Sequence, residues 1–374
     1  MPVQFETDFP GGNGLLMELD ESPKGVNVRF AVEPKNCPEP LWFHFRVAGL
    51  TGRGVRCVMT NPEQTLGGPD WSHNRPVFRP AGGLWQRAPL PEALQTPGGR
   101  TEWAWDLGTA DTVEFANCYP YQPEDLESTL DELDGVFQPE TIGVTPAGRE
   151  LVRLYSELPS DGKPAVLIAA RHHAGETPGS WVLDGLLRQV AADESLLQAV
   201  TWWAIPIVNT DDTVAGSYGK DPYPHDCNRA YGESTQRRPE MFAITNDARR
   251  LRDASSRLLG VDLHAPSHGE QRSYVPLHGW DGSGEINPIA QDFAERFQSA
   301  VPEQLRSPEA HVKPTGNYAR QPGMSFNRWM RNVLGVECVT LETSYQGNGE
   351  RYYSIDDYRL LGATLAKTIA DWLK

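Results

Sequence analysis

Two adjacent histidines and a glutamate follow a short apolar run near the middle of the sequence. The run covers residues 164–169, and His172, His173 and Glu176 come shortly after it. An apolar block between turn residues is typical of a buried parallel strand, so these side chains should lie at its carboxyl end. A histidine and a glutamate three residues apart can bind one metal ion from a tight turn. The spacing alone is a weak signal, because such a pair is more often a surface hydrogen bond.

Polar residues that suit a metal-dependent hydrolase also follow later predicted strands. His264 ends the run "GVDLH" and could complete a set of two histidines and one carboxylate, which leaves a zinc position open; it could equally be a core histidine. Glu342 closes "VECVTLE", where a buried carboxylate beside a cation can act as general base. In "DCNR", Asn228 and Arg229 could grip a substrate carboxylate, and Asp226 could orient a ligating histidine.

These residues require a sheet whose strand ends converge, and the pattern after residue 118 predicts one. Apolar residues recur at helical spacing over 180–190, and another amphipathic helix opens at Pro239. Strands are predicted at 199–208, 260–264 and 336–342, with a closing helix over 360–374. Such alternation indicates an α/β fold with a mixed, largely parallel, doubly wound sheet, whose ligand sites lie beyond the strands' carboxyl ends.

The first part of the chain has a different pattern. Short β-rich runs alternate with Gly/Pro turns from about residue 26 to residue 118, which predicts an antiparallel β-sandwich. The Pro/Gly-rich region 61–99 is interpreted as loops within it. The predicted domains are therefore 1–118, the amino-terminal β-sandwich, and 119–374, the catalytic domain.

Composition excludes several functional classes. The chain has 34 basic and 50 acidic residues and a net charge of −16, which argues against nucleic acid as a partner. Neither a signal-peptide pattern nor a run of eighteen apolar residues occurs, so we expect no membrane partner and a cytoplasmic location. The five cysteines are scattered without a CxxC pair, so they favour reduced thiols, and any metal must use histidine and carboxylate.

Four short motifs together resemble a known family, the zinc metallocarboxypeptidases, and within it the cytosolic carboxypeptidase subgroup. They are "HAGE" (173–176), "DCNR" (226–229), "DLH" (262–264) and "TLETS" (340–344), and they follow the family's order along the chain. The stretches "LWFHFRV" and "FANCYPY" are similar to the subgroup's amino-terminal β-sandwich. The resemblance covers most of the 374 residues.

The resemblance implies a zinc-dependent carboxypeptidase that hydrolyses the carboxyl-terminal peptide bond of peptides or proteins. It implies one Zn²⁺ per chain and assigns His172 only as a neighbour of the site. The implied roles are zinc ligands for His173, Glu176 and His264, general base for Glu342, substrate-carboxylate binding for Asn228 and Arg229, and orientation of a ligand for Asp226.

The sequence departs from the family pattern in the loop after the second strand of this fold. Where the subgroup places an arginine that polarises the scissile carbonyl, "GSYGKD" has Gly219, followed by Lys220, which could supply the positive charge. A tyrosine that covers the substrate in the family would fall near Tyr318. Arg328 could bind an acidic terminal side chain, although exposed helix arginines are common.

Two other functions fit parts of the pattern. An N-acyl amino acid amidohydrolase of the aspartoacylase or succinylglutamate desuccinylase kind shares the HxxE and distant-histidine pattern, and small acylated amino acids as the only substrates would favour it. A non-catalytic zinc- or peptide-binding protein is the second alternative. It is disfavoured because Glu342, the base, is present.

Overall fold

The computed structural model describes residues 2–159, 162–222, 226–232, 238–277, 286–308 and 323–374, together with the backbone of 311–312. The predicted substrate-covering residue Tyr318 lies outside this described part of the chain. Within it, no helix is both long enough and apolar enough to cross a lipid bilayer.

The amino-terminal part of the chain forms two five-stranded sheets. Their strands are β1 (Gln4–Glu6), β2 (Leu15–Ser22), β3 (Gly25–Ala31), β4 (His44–Ala48), β5 (Gly54–Met59), β6 (Val77–Pro80), β7 (Gln86–Arg87), β8 (Glu92–Gln95), β9 (Thr101–Thr109) and β10 (Thr112–Ala116). The strand orders are β1-β4-β10-β6-β7 and β2-β3-β5-β9-β8. All neighbouring pairs are antiparallel except β3 and β5, so the predicted sandwich is confirmed with one parallel pair.

One expectation for this part is wrong. The region 61–99 is not only loops, because it contains β6, β7, β8 and a short 3₁₀ helix, Pro62–Gln64. These strands are only two to four residues long, which is too short for a clear period-2 pattern.

Aromatic side chains fill the space between the two amino-terminal sheets. Phe45 and Val47 of β4 are fully buried, as the alternation along "WFHFRV" predicts. The ring of Phe45 lies 4.8 Å from that of Phe30 and 5.7 Å from that of Phe115. Contacts of this kind between large rings hold the sheets together through buried apolar area.

The described residues of the rest of the chain form a six-stranded sheet, a two-stranded sheet, eight α-helices and the short 3₁₀ helices Cys227–Arg229 and Glu303–Leu305. The elements are α1 (Pro123–Glu132), β11 (Gln138–Val144), β12 (Glu150–Tyr155), β13 (Ala165–Ala170), α2 (Thr177–Ala192), α3 (Glu194–Ala199), β14 (Thr201–Ile205), α4 (Thr210–Ala215), α5 (Pro239–Asp253), β15 (Leu258–His264), β16 (Val275–Pro276), α6 (Pro288–Ala300), β17 (His311–Val312), α7 (Phe326–Asn332), β18 (Glu337–Glu342) and α8 (Ile355–Leu373).

The large sheet has the order β11-β12-β14-β13-β15-β18. Strands β14, β13, β15 and β18 are parallel, and the hairpin β11–β12 adds two antiparallel strands at one edge. Helices α2 and α8 contribute to the apolar core on one face and α5 and α7 to the core on the other. The predicted mixed, largely parallel, doubly wound sheet is therefore confirmed, while the edge hairpin was not predicted.

Glycines let α2 and α8 approach each other closely. A Cβ atom at Gly185 would lie 2.0 Å from the carbonyl oxygen of Arg359, and one at Gly362 would lie 1.8 Å from that of Val182. No larger residue fits at either position without moving a helix. This contact fixes α2, which begins at the turn that carries His173 and Glu176.

Candidate active site

A buried arginine shapes the turn that follows β13. Arg171 has a φ of 63°, and its guanidinium donates hydrogen bonds to the carbonyls of Ala174 (2.7 Å) and Tyr121 (2.9 Å). The turn ends at Glu176, which is the N-cap residue of α2, with a proline in the first turn of the helix. The chain therefore presents His173 and Glu176 from one rigid turn.

Three buried side chains converge at the carboxyl ends of β13 and β15. The Nδ1 atom of His173 lies 2.8 Å from Oε1 of Glu176, and Nδ1 of His264 lies 2.7 Å from Oε2 of the same carboxylate. Each of the three is at most 4% exposed. Their potential ligand atoms all lie within 4.8 Å of one another, so they could hold a metal ion.

The opposite nitrogen of each histidine faces an aspartate. His173 Nε2 lies 3.1 Å from Oδ2 of Asp226, and His264 Nε2 lies 3.0 Å from Oδ2 of Asp262. Burial raises the pKa of Asp226, but the charge and hydrogen bond of His173 outweigh it, so the pKa falls below its ordinary value. Ionised carboxylates only accept hydrogen bonds, so with a metal ion at the centre the two aspartates would hold the proton on each Nε2 and leave each Nδ1 lone pair for the metal.

This donor set fits zinc. Two neutral imidazole nitrogens and one carboxylate are a ligand set that zinc hydrolases use, and a carboxylate behind each histidine fixes its tautomer and orientation. Glu176 is further held by the backbone N–H of Ala265 at 3.0 Å and the hydroxyl of Tyr218 at 3.3 Å. The position of all three ligands is therefore set by partners outside the set.

The adjacent His172 belongs to a different environment. Its Nδ1 lies 2.8 Å from Oδ1 of Asp262, and its Nε2 lies 2.6 Å from the hydroxyl of Tyr231. His172, Asp262 and His264 form a second cluster in which ligand atoms lie close enough for a metal. His172, however, is fully buried with both nitrogens near polar partners, and it does not line the cavity described next.

The cluster opens into a cavity of about 410 Å³, which we call the site cavity. Its lining combines the three converging residues with charged groups, neutral polar groups and two residues of the amino-terminal part. The lining residues are Leu66, Gly67, His173, Glu176, Lys220, Asn228, Arg229, Asp262, His264, Pro266, Ser267, Glu270, Tyr274, Ser325, Asn327, Thr340 and Glu342.

Glu342 lies beside His264 across the sheet. The two residues are register partners at the ends of β18 and β15, and the Glu342 backbone N–H donates to the carbonyl of Tyr274 at 2.9 Å. Burial raises the pKa of the Glu342 carboxyl, and the negative charge of Glu176 raises it further; His264 and Lys220 oppose these effects without cancelling them. Glu342 is therefore a partly buried carboxyl with an elevated affinity for protons.

Lys220 lines the site cavity, whereas its neighbour Gly219 cannot carry a side chain there. Gly219 has a φ of 72°, and a Cβ atom would lie 2.9 Å from the backbone nitrogen of Ala174. An arginine at 219 would disturb the ligand-bearing turn. Burial lowers the pKa of Lys220, but the carboxylates of Glu176 and Glu342 outweigh this effect and raise it, so the amine is cationic at neutral pH.

Arg229 and Asn228 lie next to each other in the lining. Arg229 Nη1 donates to the carbonyl of Asn228 at 2.8 Å, and the Arg229 side chain is partly exposed. The Asn228 amide is engaged within the protein: Oδ1 accepts from the N–H of Phe326 at 2.8 Å, and Nδ2 lies 3.3 Å from Asp262 Oδ2 and 2.9 Å from His264 Nε2. The pair is in the predicted place, and Arg229 is the member with an exposed charged group.

The structure does not bring Arg328 to the site. It is absent from the described lining of the site cavity, and its Nη1 donates to the carbonyl of Gly323 at 3.2 Å. Ser325, Asn327 and Thr340 lie in the lining instead. The role of Arg328 in binding an acidic side chain stays a prediction: Arg328 lies on α7 beside a residue that lines the cavity, and its own side chain turns back to the start of the helix.

Sequence reasoning missed several residues of the site. Asp262, which bridges His172 and His264, was placed at the end of its strand but given no role, although it precedes His264 by two positions and shares its face of β15. Leu66 and Gly67 come from the amino-terminal part, and no local pattern marks them. Tyr218 and Tyr345, whose hydroxyls lie 3.2 Å apart beneath Glu176, had no signal either.

Two protein-family models match the chain. The model described as cytosolic carboxypeptidase N-terminal domain matches residues 5–118, and the model described as zinc carboxypeptidase matches residues 126–218. The chain is therefore similar to a zinc carboxypeptidase domain over one stretch and to the amino-terminal domain of the cytosolic carboxypeptidases over another, and the resemblance drawn from the four motifs is confirmed.

Curated relatives agree with these models. Cytosolic carboxypeptidase 3 of Bos taurus is 28% identical over 195 residues, which are 48% of this chain but only 19% of that protein. Cytosolic carboxypeptidase 6 of Caenorhabditis elegans is 24% identical over 98% of this chain and 86% of its own length. The chain thus spans about a fifth of the bovine relative but most of the nematode one.

Solved structures show the same fold. A metallo-carboxypeptidase from Burkholderia cenocepacia superposes with a TM-score of 0.80 at 18% identity, over 99% of both chains. A metallo-carboxypeptidase from Pseudomonas aeruginosa, in complex with (2-guanidinoethylmercapto)succinic acid, has a TM-score of 0.80 at 20% identity, over 99% of this chain and all of that one. The fold of both the amino-terminal part and the rest of the chain is therefore found within a single solved structure.

Proposed function

We propose that this protein is a zinc-dependent carboxypeptidase that removes the terminal residue from peptides or proteins. One observation carries the proposal: a single cavity brings together the converging His173, Glu176 and His264, the partly buried Glu342, and the cations Lys220 and Arg229. The family models that match the chain support the same activity.

One zinc ion per chain would be held by His173, Glu176 and His264, with Asp226 orienting His173. When bound, zinc supplies Lewis-acid polarisation of a carbonyl and lowers the pKa of a water to about 7. His172 is not in this ligand set, because its two nitrogens already face Asp262 and Tyr231.

Glu342 is the proposed general base. Its carboxylate accepts the proton of the attacking water and then delivers that proton to the departing amine, so the residue returns to its ionised form. Its elevated pKa, which burial and Glu176 cause, suits a group that must both take and release a proton.

Arg229, with Asn228 beside it, is proposed to bind the substrate's terminal carboxylate. A guanidinium matches a carboxylate with two parallel hydrogen bonds, and such charge-assisted bonds are about twice as strong as neutral ones. Internal peptide bonds offer no carboxylate at this point. The contact would therefore restrict hydrolysis to the last bond of a chain.

Lys220 is proposed to stabilise the negative charge that develops on the scissile carbonyl oxygen. Gly219, at the position of the subgroup's arginine, has no room for a side chain, whereas Lys220 is cationic and lines the site cavity. Tyr318 remains a prediction as the residue that covers the substrate, since it lies outside the described residues.

The proposal is tested by zinc content and by release of terminal amino acids from a mixed peptide library. We expect one zinc per chain in the wild type and in Glu342→Gln, with kcat lower by about 10²–10⁴-fold in the variant only. Glu350→Gln, which changes an exposed glutamate in the loop after β18, is the matched control and should keep wild-type release. Absence of zinc, or release that survives Glu342→Gln, would refute the assignment.

The two alternatives remain distinguishable by the same measurements. Zinc with hydrolysis of acylated amino acids only would indicate the amidohydrolase, and zinc without hydrolysis would indicate a binding protein. Neither is favoured by the family models. The cytoplasmic location and the domain boundary between residues 118 and 119 stay proposals; the word cytosolic in the relatives' names supports the former.

A further inference from the structure

We propose that residues 66–68, a loop of the amino-terminal sandwich, bind the part of the substrate that precedes the scissile bond. The substrate would then be an extended peptide longer than a dipeptide, and the sandwich would be part of the substrate-binding surface. This inference rests on the proposed carboxypeptidase function and adds a substrate class to it.

The loop reaches the same cavity as the proposed zinc ligands. Leu66 and Gly67 both line the site cavity, Leu66 partly exposed and Gly67 exposed. The loop is held within its own domain by two backbone hydrogen bonds, from Leu66 N–H to the Pro40 carbonyl and from Gly68 N–H to the Thr65 carbonyl, each 3.0 Å. A side chain and a backbone segment of the sandwich are therefore available to a ligand.

A histidine of the catalytic part locks this loop in place. His268 is 1% exposed and stacks on Trp71, with ring centroids 4.2 Å apart. Its Nε2 lies 3.0 Å from the Gly68 carbonyl oxygen, and its Nδ1 lies 3.0 Å from Nδ2 of Asn74. A Cβ at Gly67 would lie only 2.7 Å from the His268 ring. The loop of residues 66–68 is therefore held in one conformation before a ligand binds, which reduces the entropy cost of binding.

The position of Arg229 indicates which part of the substrate meets the loop. Arg229 donates a hydrogen bond to the carbonyl of Asn228, and the side chain of Asn228 accepts one from the backbone N–H of Phe326. Arg229 therefore lies on the side of the cavity that is lined by residues at the start of α7. The loop instead adjoins the segment after His264, where Pro266 and Ser267 line the cavity. If the substrate's terminal residue binds on the Arg229 side of the site cavity, the residues before the scissile bond lie on the opposite side and contact the loop.

The chemistry of the loop suits an extended peptide. Among the described residues, neither the N–H nor the carbonyl of Gly67 has a hydrogen-bond partner. Exposed backbone groups of this kind pair with an extended chain, while Leu66 can contact one of its side chains. An acylated amino acid has no residues before the scissile bond to make these contacts.

The test compares substrates that end in the same two residues. One is the N-acetylated dipeptide, and the other is a longer peptide with the same end. We expect the longer peptide to have the higher kcat/KM in the wild type. Leu66→Ala should raise KM for the longer peptide about fivefold or more by removing apolar contact, with kcat and the dipeptide kinetics unchanged.

Leu90→Ala is the matched control, because Leu90 is an exposed leucine of the same domain, 57% accessible. It should leave both substrates unaffected. Gly67→Ala is a second variant that displaces the loop from His268, and it should also weaken only the longer peptide.

Two results would overturn the inference. Equal kcat/KM for the two substrates in the wild type, or an equal effect of Leu66→Ala on both, would show that the loop does not contact the preceding residues. Cleavage of the dipeptide in those cases would leave the proposed function standing. If neither substrate is cleaved by the zinc-loaded protein, the proposed function fails and the inference with it.

Discussion

Two cavities lie at opposite ends of the same six-stranded sheet, and the proposed site lies in the smaller one. The site cavity, of about 410 Å³, lies at the carboxyl ends of β15 and β18. The second, of about 680 Å³, lies at their amino ends, where Leu258 and Glu337 line it; we call it the amino-end cavity. Cavity volume alone would therefore select the end of the sheet opposite to the proposed site.

The two cavities differ in how their charged groups are held. In the amino-end cavity Arg257 and Arg296 are exposed; Arg257 stacks over Trp372 at 4.0 Å, and Arg296 pairs with Asp292 at 3.0 Å. At the site cavity, His173 and Glu176 are almost fully buried and face one another. Burying ionisable groups costs free energy, so a convergent buried cluster marks a functional site better than size does.

The largest effect should come from the proposed metal ligands. Glu176→Gln removes the carboxylate that faces both histidines, so we expect loss of bound zinc and of detectable peptidase activity. Glu337→Gln changes a glutamate of the amino-end cavity and should keep both. Elemental analysis and peptide hydrolysis measure the two variants. Zinc retained at full occupancy in Glu176→Gln would contradict the proposal that the site cavity, and not the amino-end cavity, contains the zinc ligands.

The next effect should come from the cation beside the site. Lys220→Ala should lower kcat by about 10²–10³-fold with zinc content unchanged, because it removes one stabilising charge from the oxyanion. Arg257→Ala removes a cation from the amino-end cavity and should change kcat/KM by less than about twofold, since none of the proposed catalytic residues lines that cavity. Steady-state kinetics on one peptide measures kcat and KM for both variants. An equal loss of kcat in Lys220→Ala and Arg257→Ala would contradict the proposed role of Lys220.

A smaller effect should come from the carboxylate behind a ligand. Asp226→Asn weakens the orientation of His173, so zinc affinity should fall by about 10–100-fold while saturating zinc restores activity. Asp292→Asn, at the amino-end cavity, should leave zinc affinity unchanged. Competition with a chromogenic chelator measures both affinities, and wild-type affinity in Asp226→Asn would show that His173 needs no such partner.

The smallest effect concerns a third charged cluster, in the amino-terminal sandwich, which should affect stability alone. Burial raises the pKa of Glu114, but hydrogen bonds from His44 and Arg79 outweigh it and hold the pKa at about 2, below the ordinary value of 4.5. A depressed folded-state pKa contributes stability above about pH 4.5, and that contribution is lost as the pH falls toward about 2.

Glu114→Gln should therefore lower stability at neutral pH and reduce its loss between about pH 4.5 and pH 2, with peptidase activity unchanged at neutral pH. Thermal unfolding across this pH range measures the effect. An identical pH profile in the variant and the wild type would contradict it.

How far the sequence predicts this molecule depends on whether a feature is local. The helix over 180–190 and the strand ends at His264 and Glu342 follow from apolar periodicity, so they could be predicted and are confirmed. The hairpin β11–β12 could not, because β11 has no buried residue and carries no apolar alternation. The contact of Trp71 with His268 joins residues far apart in the chain, which no local pattern records.

The site shows the same division. The residue types and the spacing of His173 and Glu176 indicated a metal site, and the motif resemblance supplied roles for the rest. The environment that separates His172 from His173 depends on Asp262 and Tyr231, which approach only in the folded chain. Likewise, the direction of the Arg328 side chain could not be predicted, because a helix position does not determine where a long side chain turns.

The most direct test of the central claim uses one peptide in two forms, with a free terminal carboxylate and with a terminal amide. The zinc-loaded protein is incubated with each, and the released terminal residue is quantified by mass spectrometry. We predict release from the free acid, and release from the amide lower by at least about 100-fold, because only the acid offers Arg229 a carboxylate. Equal release from both forms, or none from either, would contradict the account of this protein as a carboxypeptidase.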